Sequence, residues 1–391
     1  MTIDFDKEVD RSVSHSLKYD VREAYFGRSD VIPMWVADMD LPAPEAVTEA
    51  LTARAQHPIF GYTVYPDSLY DSLINWCELH YQWTVSKSDV IMCPGVVPAL
   101  RAIIEAITKP GDKVIAQPPV YFPFFSVVTK AERELILNPL KLVNNRYYLD
   151  FEHLEQSAKD GAKVLLFCSP HNPVGRVWQR AELEQLISIA QRYQMTIISD
   201  EIHADLIDPN QQHISLATLA ITKHQVITAI APSKTFNIPG LGLSSLIVPD
   251  KKQRLAITEV FENWHLNASN PFSVTAFEAA YKYGGPWLSE LRQYIYENKY
   301  FVKAFLEKHC PDITVVESEG TYLLWLDCRQ LQMENADLRK FFIDEAGVGM
   351  NPGYVFGEVG SGFMRMNIGT RRALIEKALL QIKQALDSRK R

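Results

Sequence analysis

The stretch Val226-Ile-Thr-Ala-Ile-Ala-Pro-Ser-Lys-Thr-Phe-Asn-Ile-Pro-Gly-Leu-Gly-Leu-Ser244 runs from apolar chain through a Pro- and Gly-punctuated loop with one lysine, Lys234, and returns to apolar chain at Leu243 to Val248. A β-rich run bounded in this way reads as a strand buried on both faces, here Val226 to Pro232. Outward from it the pattern recurs. Val90 to Cys93, Lys113 to Ala116, Lys163 to Ser169, Met195 to Ser199 and Leu243 to Val248 are strand candidates, and Val97 to Thr108, Arg180 to Arg192 and the segment after Asp250 have helical period. Such alternation predicts an α/β chain whose mainly parallel sheet is covered by helices on both faces. Upstream, Glu45 to about Ala55 and Asp67 to about Tyr81 are helical. Downstream, the pattern changes around Lys282-Tyr-Gly-Gly-Pro-Trp287. A long helix from about Pro286 to Lys308 precedes a strand at Gly320 to Leu326, a helix near Ala336 to Glu345, a Gly-rich stretch from Gly347 to Gly362, a strand at Phe363 to Ile368 and a closing helix to Ser388. That order is α+β in character. We expect a large domain over 45–285 and a smaller one built from 1–44 and 286–391.

Composition narrows the function classes. A chain of 391 residues, 47% hydrophobic and 22% charged, has the makings of a large core and is not disordered. Forty basic against 47 acidic residues give a net charge of −7, so no basic face is expected for nucleic acid. The acidic start Met1 to Asp10 lacks a signal-peptide pattern, and apolar runs such as Val164 to Cys168 fall far short of the roughly 20 residues of a membrane helix. Five scattered cysteines without a C-x-x-C argue against a disulfide framework or zinc site and suggest a reducing cytoplasm. The ten histidines show no H-E-x-x-H spacing, and no metal is expected.

Four groups directly follow predicted strands: Tyr121, Asn172, Asp200 and Lys234. Strand carboxyl ends in an open parallel sheet share one edge, where ligands bind. Taken singly, each has a plainer reading: a solvated lysine, a helix N-cap at Asp200, a turn former at Asn172 before Pro173, and a core tyrosine. Taken together, a lysine, a carboxylate, an amide and an aromatic face suit pyridoxal 5′-phosphate, whose aldehyde needs an amine and whose ring nitrogen needs an acidic partner. A buried Lys234 would have a lowered pKa and act as a nucleophile. Phosphate needs backbone N–H donors, which Gly95 and the helix start after it in Pro94-Gly-Val-Val-Pro-Ala-Leu100 offer, with Ser233 adding a hydroxyl.

Ser169-Pro-His-Asn-Pro-Val-Gly175, Ser199-Asp-Glu-Ile-His203 and Pro232-Ser-Lys-Thr235, in that order, resemble the motifs of fold-type I pyridoxal-phosphate enzymes, the aspartate aminotransferase superfamily. Trp35-Val-Ala-Asp-Met-Asp40, Ile59-Phe-Gly-Tyr62 and Ser233-Lys-Thr-Phe-Asn-Ile-Pro239 are similar to the MalY/PatB-type cystathionine β-lyases, or C–S lyases. The resemblance implies a transferase-like fold with a mainly parallel seven-stranded sheet and a smaller α+β domain, and a homodimer with a shared active site. It implies that Lys234 holds the cofactor's aldehyde carbon, Asp200 the ring nitrogen and Asn172 the ring 3-oxygen, with Tyr121 stacked on the ring. Gly95, Val96 and Ser233 would bind phosphate, joined by Tyr62 from the other subunit. Arg365 in Phe363-Met-Arg-Met-Asn-Ile-Gly369 would grip the substrate α-carboxylate, with Asn172 and Asp38 beside the substrate.

Three positions depart from typical aminotransferases: His203 stands where they carry tyrosine, Gly242 where they carry arginine and Ala231 where many carry serine. His203 then contacts the cofactor, or else is a satisfied core histidine. The implied activity is β-cleavage of L-cystathionine, L-cysteine or S-substituted cysteines to pyruvate, ammonia and a thiol. An aminotransferase is the nearest alternative, separated only by His203, Gly242 and the Trp35-to-Tyr62 region. A protein-binding regulator on the same fold is a further alternative, with no charge run or appended domain in its favour.

Overall fold

The computed structural model describes residues 3–11, 14–266 and 270–389. Seven short strands pair into one sheet: β1 (Val90–Cys93), β2 (Lys113–Ala116), β3 (Glu134–Leu137), β4 (Ala162–Cys168), β5 (Thr196–Asp200), β6 (Val226–Ile230) and β7 (Ser244–Ile247). Their spatial order is β1-β7-β6-β5-β4-β2-β3. Neighbours from β6 to β3 are parallel, while β7 runs antiparallel to both β6 and β1. Six strands therefore point one way, and their carboxyl ends form one edge.

Alternation along the strands buries both faces. Val114, Ala116, Val164, Leu166 and Ile198 pack with Leu100 and Ile104 of the helix Val96–Ile107 and with Ile257 and Phe261 of the helix Lys251–Asn263. Ile115, Leu165, Phe167 and Ile197 face the other way, onto Leu154 of the helix Phe151–Lys159 and Leu183, Leu186 and Ile187 of the helix Arg180–Arg192. The capping box at Gln179 and Glu182 sets the start of that last helix.

Among the elements outside the sequence-based expectations, two show why a pattern fails. Strand β3, Glu134-Leu-Ile-Leu137, is an edge strand with exposed ends, so it has neither the buried apolar run nor the clean alternation that marks the others. The helix Pro271–Tyr283 buries Val274, Ala276, Phe277, Ala279, Ala280 and Tyr281, so the one-sided stripe that reveals a surface helix is blurred. The strand expected over Val226 to Pro232 ends at Ile230, because Pro232 has no N–H to give a ladder and instead opens the one-turn helix Pro232–Thr235.

A second, four-stranded sheet follows the long helix Gly285–His309: β8 (Thr314–Val315), β9 (Leu323–Asp327), β10 (Asn351–Pro352) and β11 (Phe363–Asn367), in the order β8-β9-β11-β10 and antiparallel throughout. Strand β9 begins later than Gly320 because Thr321 is left-handed, at φ +65°. The N-terminal segment joins this part of the molecule through Ile32–Pro33, which pairs in parallel with Val348–Gly349. Among the described residues no helix is long and apolar enough to cross a membrane.

Candidate active site

A cavity of about 210 Å³ opens at the carboxyl edge of the large sheet. Gly95, Val96, Tyr121, Asn172, Asp200 and Lys234 line it, brought there by the chain leaving β1, β2, β4, β5 and β6. Tight turns make this convergence possible. Tyr121 N–H donates to the Asn172 carbonyl (3.1 Å), and the His171 ring meets the Pro119 carbonyl (2.9 Å), so the turns after β2 and β4 hold each other. Gly175 closes the second of these turns at φ +69°, where a Cβ would overlap Ser318.

Lys234 projects from its one-turn helix and donates to the Ala37 carbonyl at 2.6 Å. Burial strips water from the ammonium and lowers its pKa to about 8; the Asp38 charge works against that shift, while Arg365 adds to it. Burial also raises the Asp200 carboxyl to about 7, although the Ile202 N–H bonded to it (3.1 Å) pulls the other way. His203 lines the cavity as a neutral imidazole, its pKa pushed down to about 3 by burial, then by the Lys234 and Arg365 charges. Its Nδ1 is buried with no hydrogen-bond partner among the described residues. Ser233, Gly242 and Ala37 complete the wall, whereas Ala231 does not line it.

Arg365 sits in the middle of β11, opposite Trp325 on β9 and Asn351 on β10. Its guanidinium is buried and donates to Asn172 Oδ1 (3.0 Å), Asn351 Oδ1 (2.8 Å) and the Trp35 carbonyl (2.8 Å), over the Phe356 ring. All three acceptors are neutral, and Nε is buried without a partner among the described residues. A buried cation that forms no ion pair among the described residues is a costly arrangement that an incoming anion relieves.

Besides Arg365, which touches the wall through Asn172, two expected residues lie outside the cavity lining. Asp38 turns its carboxylate to Arg11 (3.3 Å) and Lys18 (3.8 Å), which also hold Asp40 at 2.6 and 2.9 Å. It reaches Lys234 through charge rather than by lining the cavity, where its neighbour Ala37 stands instead. Tyr62 is fully exposed and does not line this chain's own cavity. Other partners were not foreseen: the Ala37 carbonyl, which also accepts from the Tyr322 hydroxyl (2.9 Å), Asn351, and Asn237. Asn237 binds the Met39 N–H and carbonyl (both 2.9 Å) and the Leu41 carbonyl (2.7 Å), lacing the lysine loop to the 37–41 segment. The sequence signal for it was its place in Ser233-Lys-Thr-Phe-Asn-Ile-Pro239, three residues after Lys234.

The donor set fits pyridoxal phosphate. An amine, a buried carboxyl and an aromatic ring surround one space, and the unpartnered His203 Nδ1 lies in its wall. The N-terminus of the helix Val96–Ile107 and Ser233 line the same space. Among the described residues lining the cavity Lys234 is the one lysine or arginine, and the helix-terminal N–H groups and the Ser233 hydroxyl are donors of the kind a phosphate needs. A lowered lysine pKa also sets a testable pH dependence. Apoprotein is expected to condense with pyridoxal phosphate at a rate that rises with pH and levels off above about 8, because the neutral amine is the nucleophile. Stopped-flow absorbance measures this. A rate still climbing tenfold per unit beyond pH 9 would mean that Lys234 is not depressed.

Residues 29–382 match the model of the aminotransferase class I and II family. The chain is 40% identical over 386 residues to cystathionine beta-lyase PatB of Bacillus subtilis (strain 168), covering 98% of this chain and 100% of that one. Among solved structures it superposes on a PLP-bound protein of Clostridium difficile 630, provisionally named an aminotransferase, with TM-score 0.96, 39% identity and 98% and 99% of the two chains covered. It also superposes on cystalysin of Treponema denticola, which contains pyridoxal 5′-phosphate, with TM-score 0.94, 35% identity and 99% and 100% coverage. The family match spans most of the chain and both sheets, and this protein belongs to the aminotransferase class I and II family, on the fold-type I scaffold of pyridoxal-phosphate enzymes.

Proposed function

We propose that the protein is a pyridoxal-5′-phosphate-dependent carbon–sulfur β-lyase that cleaves L-cystathionine, or L-cysteine and its S-substituted relatives, to pyruvate, ammonia and a thiol. The observation that carries this reading is the meeting of Lys234, Asp200, Asn172 and Tyr121 in one cavity with Arg365 bonded to Asn172 behind it, in a chain that matches a cystathionine beta-lyase end to end. When bound, the cofactor supplies an electron sink conjugated to the substrate's Cα. Asp200 holds the proton on the ring nitrogen, and Asn172 orients the ring 3-oxygen. Tyr121 covers the ring face and excludes water from it. Gly95, Val96 and Ser233 hold the phosphate, with His203 beside the ring. Arg365 and Asn172 grip the substrate carboxylate, which sets Cα over the amine. Lys234 Nζ removes the Cα proton and is placed to return a proton to the departing sulfur.

The same reading makes the active unit a homodimer. Ile59, Phe60, Tyr62 and Val64 are all more than half exposed, an apolar arm suited to a second copy, with Tyr62 reaching the phosphate end of the other cavity. It divides the chain into a large domain over 45–285 and a small one of 1–44 with 286–391, supported by the pairing of Ile32–Pro33 with Val348–Gly349. The five cysteines are all buried thiols, which favours a reducing compartment such as the cytoplasm.

Purified protein loaded with pyridoxal phosphate is expected to release pyruvate from L-cystathionine with no keto acid present. The family name and the C. difficile neighbour make amino transfer the alternative. Pyruvate absent, and alanine or glutamate formed only once a keto acid is added, would replace the lyase by an aminotransferase.

A further inference from the structure

The loop after β5 carries a second buried carboxylate, Asp205, which the reaction above does not use. It is 6% exposed and accepts three hydrogen bonds: from the Tyr81 hydroxyl (2.5 Å), the Trp76 Nε1–H (3.1 Å) and the Thr235 hydroxyl (2.8 Å). Tyr81 and Trp76 belong to the helix Asp67–Tyr81, and Thr235 is the neighbour of Lys234 in the one-turn helix Pro232–Thr235. Taking a carboxylate out of water is costly unless its lone pairs are satisfied. Asp205 has that set of donors, so it is a fixed point rather than a mobile side chain.

Its place in the chain gives the fixed point a use. Asp205 lies five residues beyond Asp200 in a loop held at its start by Ser169 N–H on the Asp200 carbonyl (3.0 Å) and Glu201 N–H on the Ala229 carbonyl (2.9 Å), and folded on itself by Leu206 N–H on the His203 carbonyl (2.9 Å). Asp200 meets the cofactor ring at its nitrogen, and Lys234 meets it at the aldehyde carbon on the opposite side. An aromatic ring cannot stretch, so the spacing of these two residues has to be built into the protein. We propose that Asp205 is a positioning residue that sets this spacing, bracing the backbone of Lys234 against the Asp200 loop through Thr235. Asn237 holds the other flank of the lysine by its bonds to Met39 and Leu41. With the Thr235 hydroxyl unbraced, the turn has one anchor instead of two, and the amine loses its alignment with both the ring and Cα.

The inference rests on Lys234 being the reactive lysine. The test compares Thr235→Val, which keeps the shape but loses the hydroxyl, with Thr235→Ser, which restores it, and with Asp205→Asn, all as cofactor-loaded full chains. The pH titration of the visible absorbance of the lysine-linked cofactor is read beside kcat and KM. Thr235→Val and Asp205→Asn are each expected to shift the titration midpoint by about one pH unit or more and to lower kcat by about 10- to 100-fold, with KM much less affected. Thr235→Ser should return both to wild type, and the double variant should be no worse than Asp205→Asn alone, because the Thr235 hydroxyl acts through its bond to Asp205. If Asp205→Asn does not fold, the Val and Ser pair decides alone. A Thr235→Val protein with wild-type titration and kcat overturns the proposal, as does a Thr235→Ser protein as impaired as Thr235→Val. Lys234→Ala serves as the control for the underlying reading: lysine-linked absorbance persisting in it would refute Lys234 itself, while its loss beside a normal Thr235→Val would refute only the role of Asp205.

Discussion

Lys234→Ala is expected to lower pyruvate release from L-cystathionine by about 10⁴-fold or more, since it removes at once the amine that holds the cofactor and the base that takes the Cα proton. No neighbour can substitute. Among the described residues Lys234 is the one lysine or arginine lining the cavity, His203 is neutral and held there by burial, and Arg365 is bonded to Asn172, Asn351 and the Trp35 carbonyl. The fold should survive, because among the described residues the only side-chain hydrogen bond lost is that to the Ala37 carbonyl, which keeps the Tyr322 hydroxyl. Steady-state kinetics and the mass of the borohydride-reduced protein check both halves. Retained turnover, or cofactor still covalently trapped on the variant, would mean that another amine does the chemistry.

Asp200→Asn is expected to lower kcat by about 10³-fold while leaving the apoprotein at least as stable as the wild type at pH 8. The two effects separate because they have different origins. Catalysis loses the negative charge opposite the ring-nitrogen proton. Stability gains, because burial raises the Asp200 carboxyl to about 7 in the folded chain, so the folded state binds its proton more tightly than the unfolded state does. The contribution of this group to stability therefore falls as pH rises from about 4 through about 7, and above that range the ionised carboxylate is a burden that asparagine does not carry. Thermal melts of the apoproteins at pH 8 and saturation kinetics of the loaded enzymes test this. A variant with normal kcat would show that ring-nitrogen protonation is not maintained by Asp200, and one that melts well below wild type would show that the charge is structural.

The sheet was legible because its strands are short runs buried on both sides. Val90–Cys93 and Lys113–Ala116 stand at the expected bounds, and the other four foreseen strands differ by no more than two residues at either end. Glu134–Leu137 was hidden by its edge position, and Pro271–Tyr283 by being apolar on most of its surface. In the site, residues that leave a strand within a few positions, such as Asn172, Asp200 and Lys234, could be placed from local order alone. Asp38 was expected beside the substrate, yet its carboxylate pairs with Arg11 and Lys18, partners that no local pattern points to.

The amino-acid sequence by itself determined the α/β order, the edge on which the chemistry gathers, and the family, since each depends on local periodicity or on motifs spanning a few residues. Tertiary structure alone decided the electrostatics and the bracing. The lowered pKa of Lys234 and the raised pKa of Asp200 come from burial by elements far apart in the chain. The lack of an ion pair to Arg365 among the described residues depends on which strands flank β11, and the Asp205 anchor joins a helix near residue 80 to a turn near residue 235. Desolvation and hydrogen-bond satisfaction are sums over everything packed around a group, and only the folded chain says what that is.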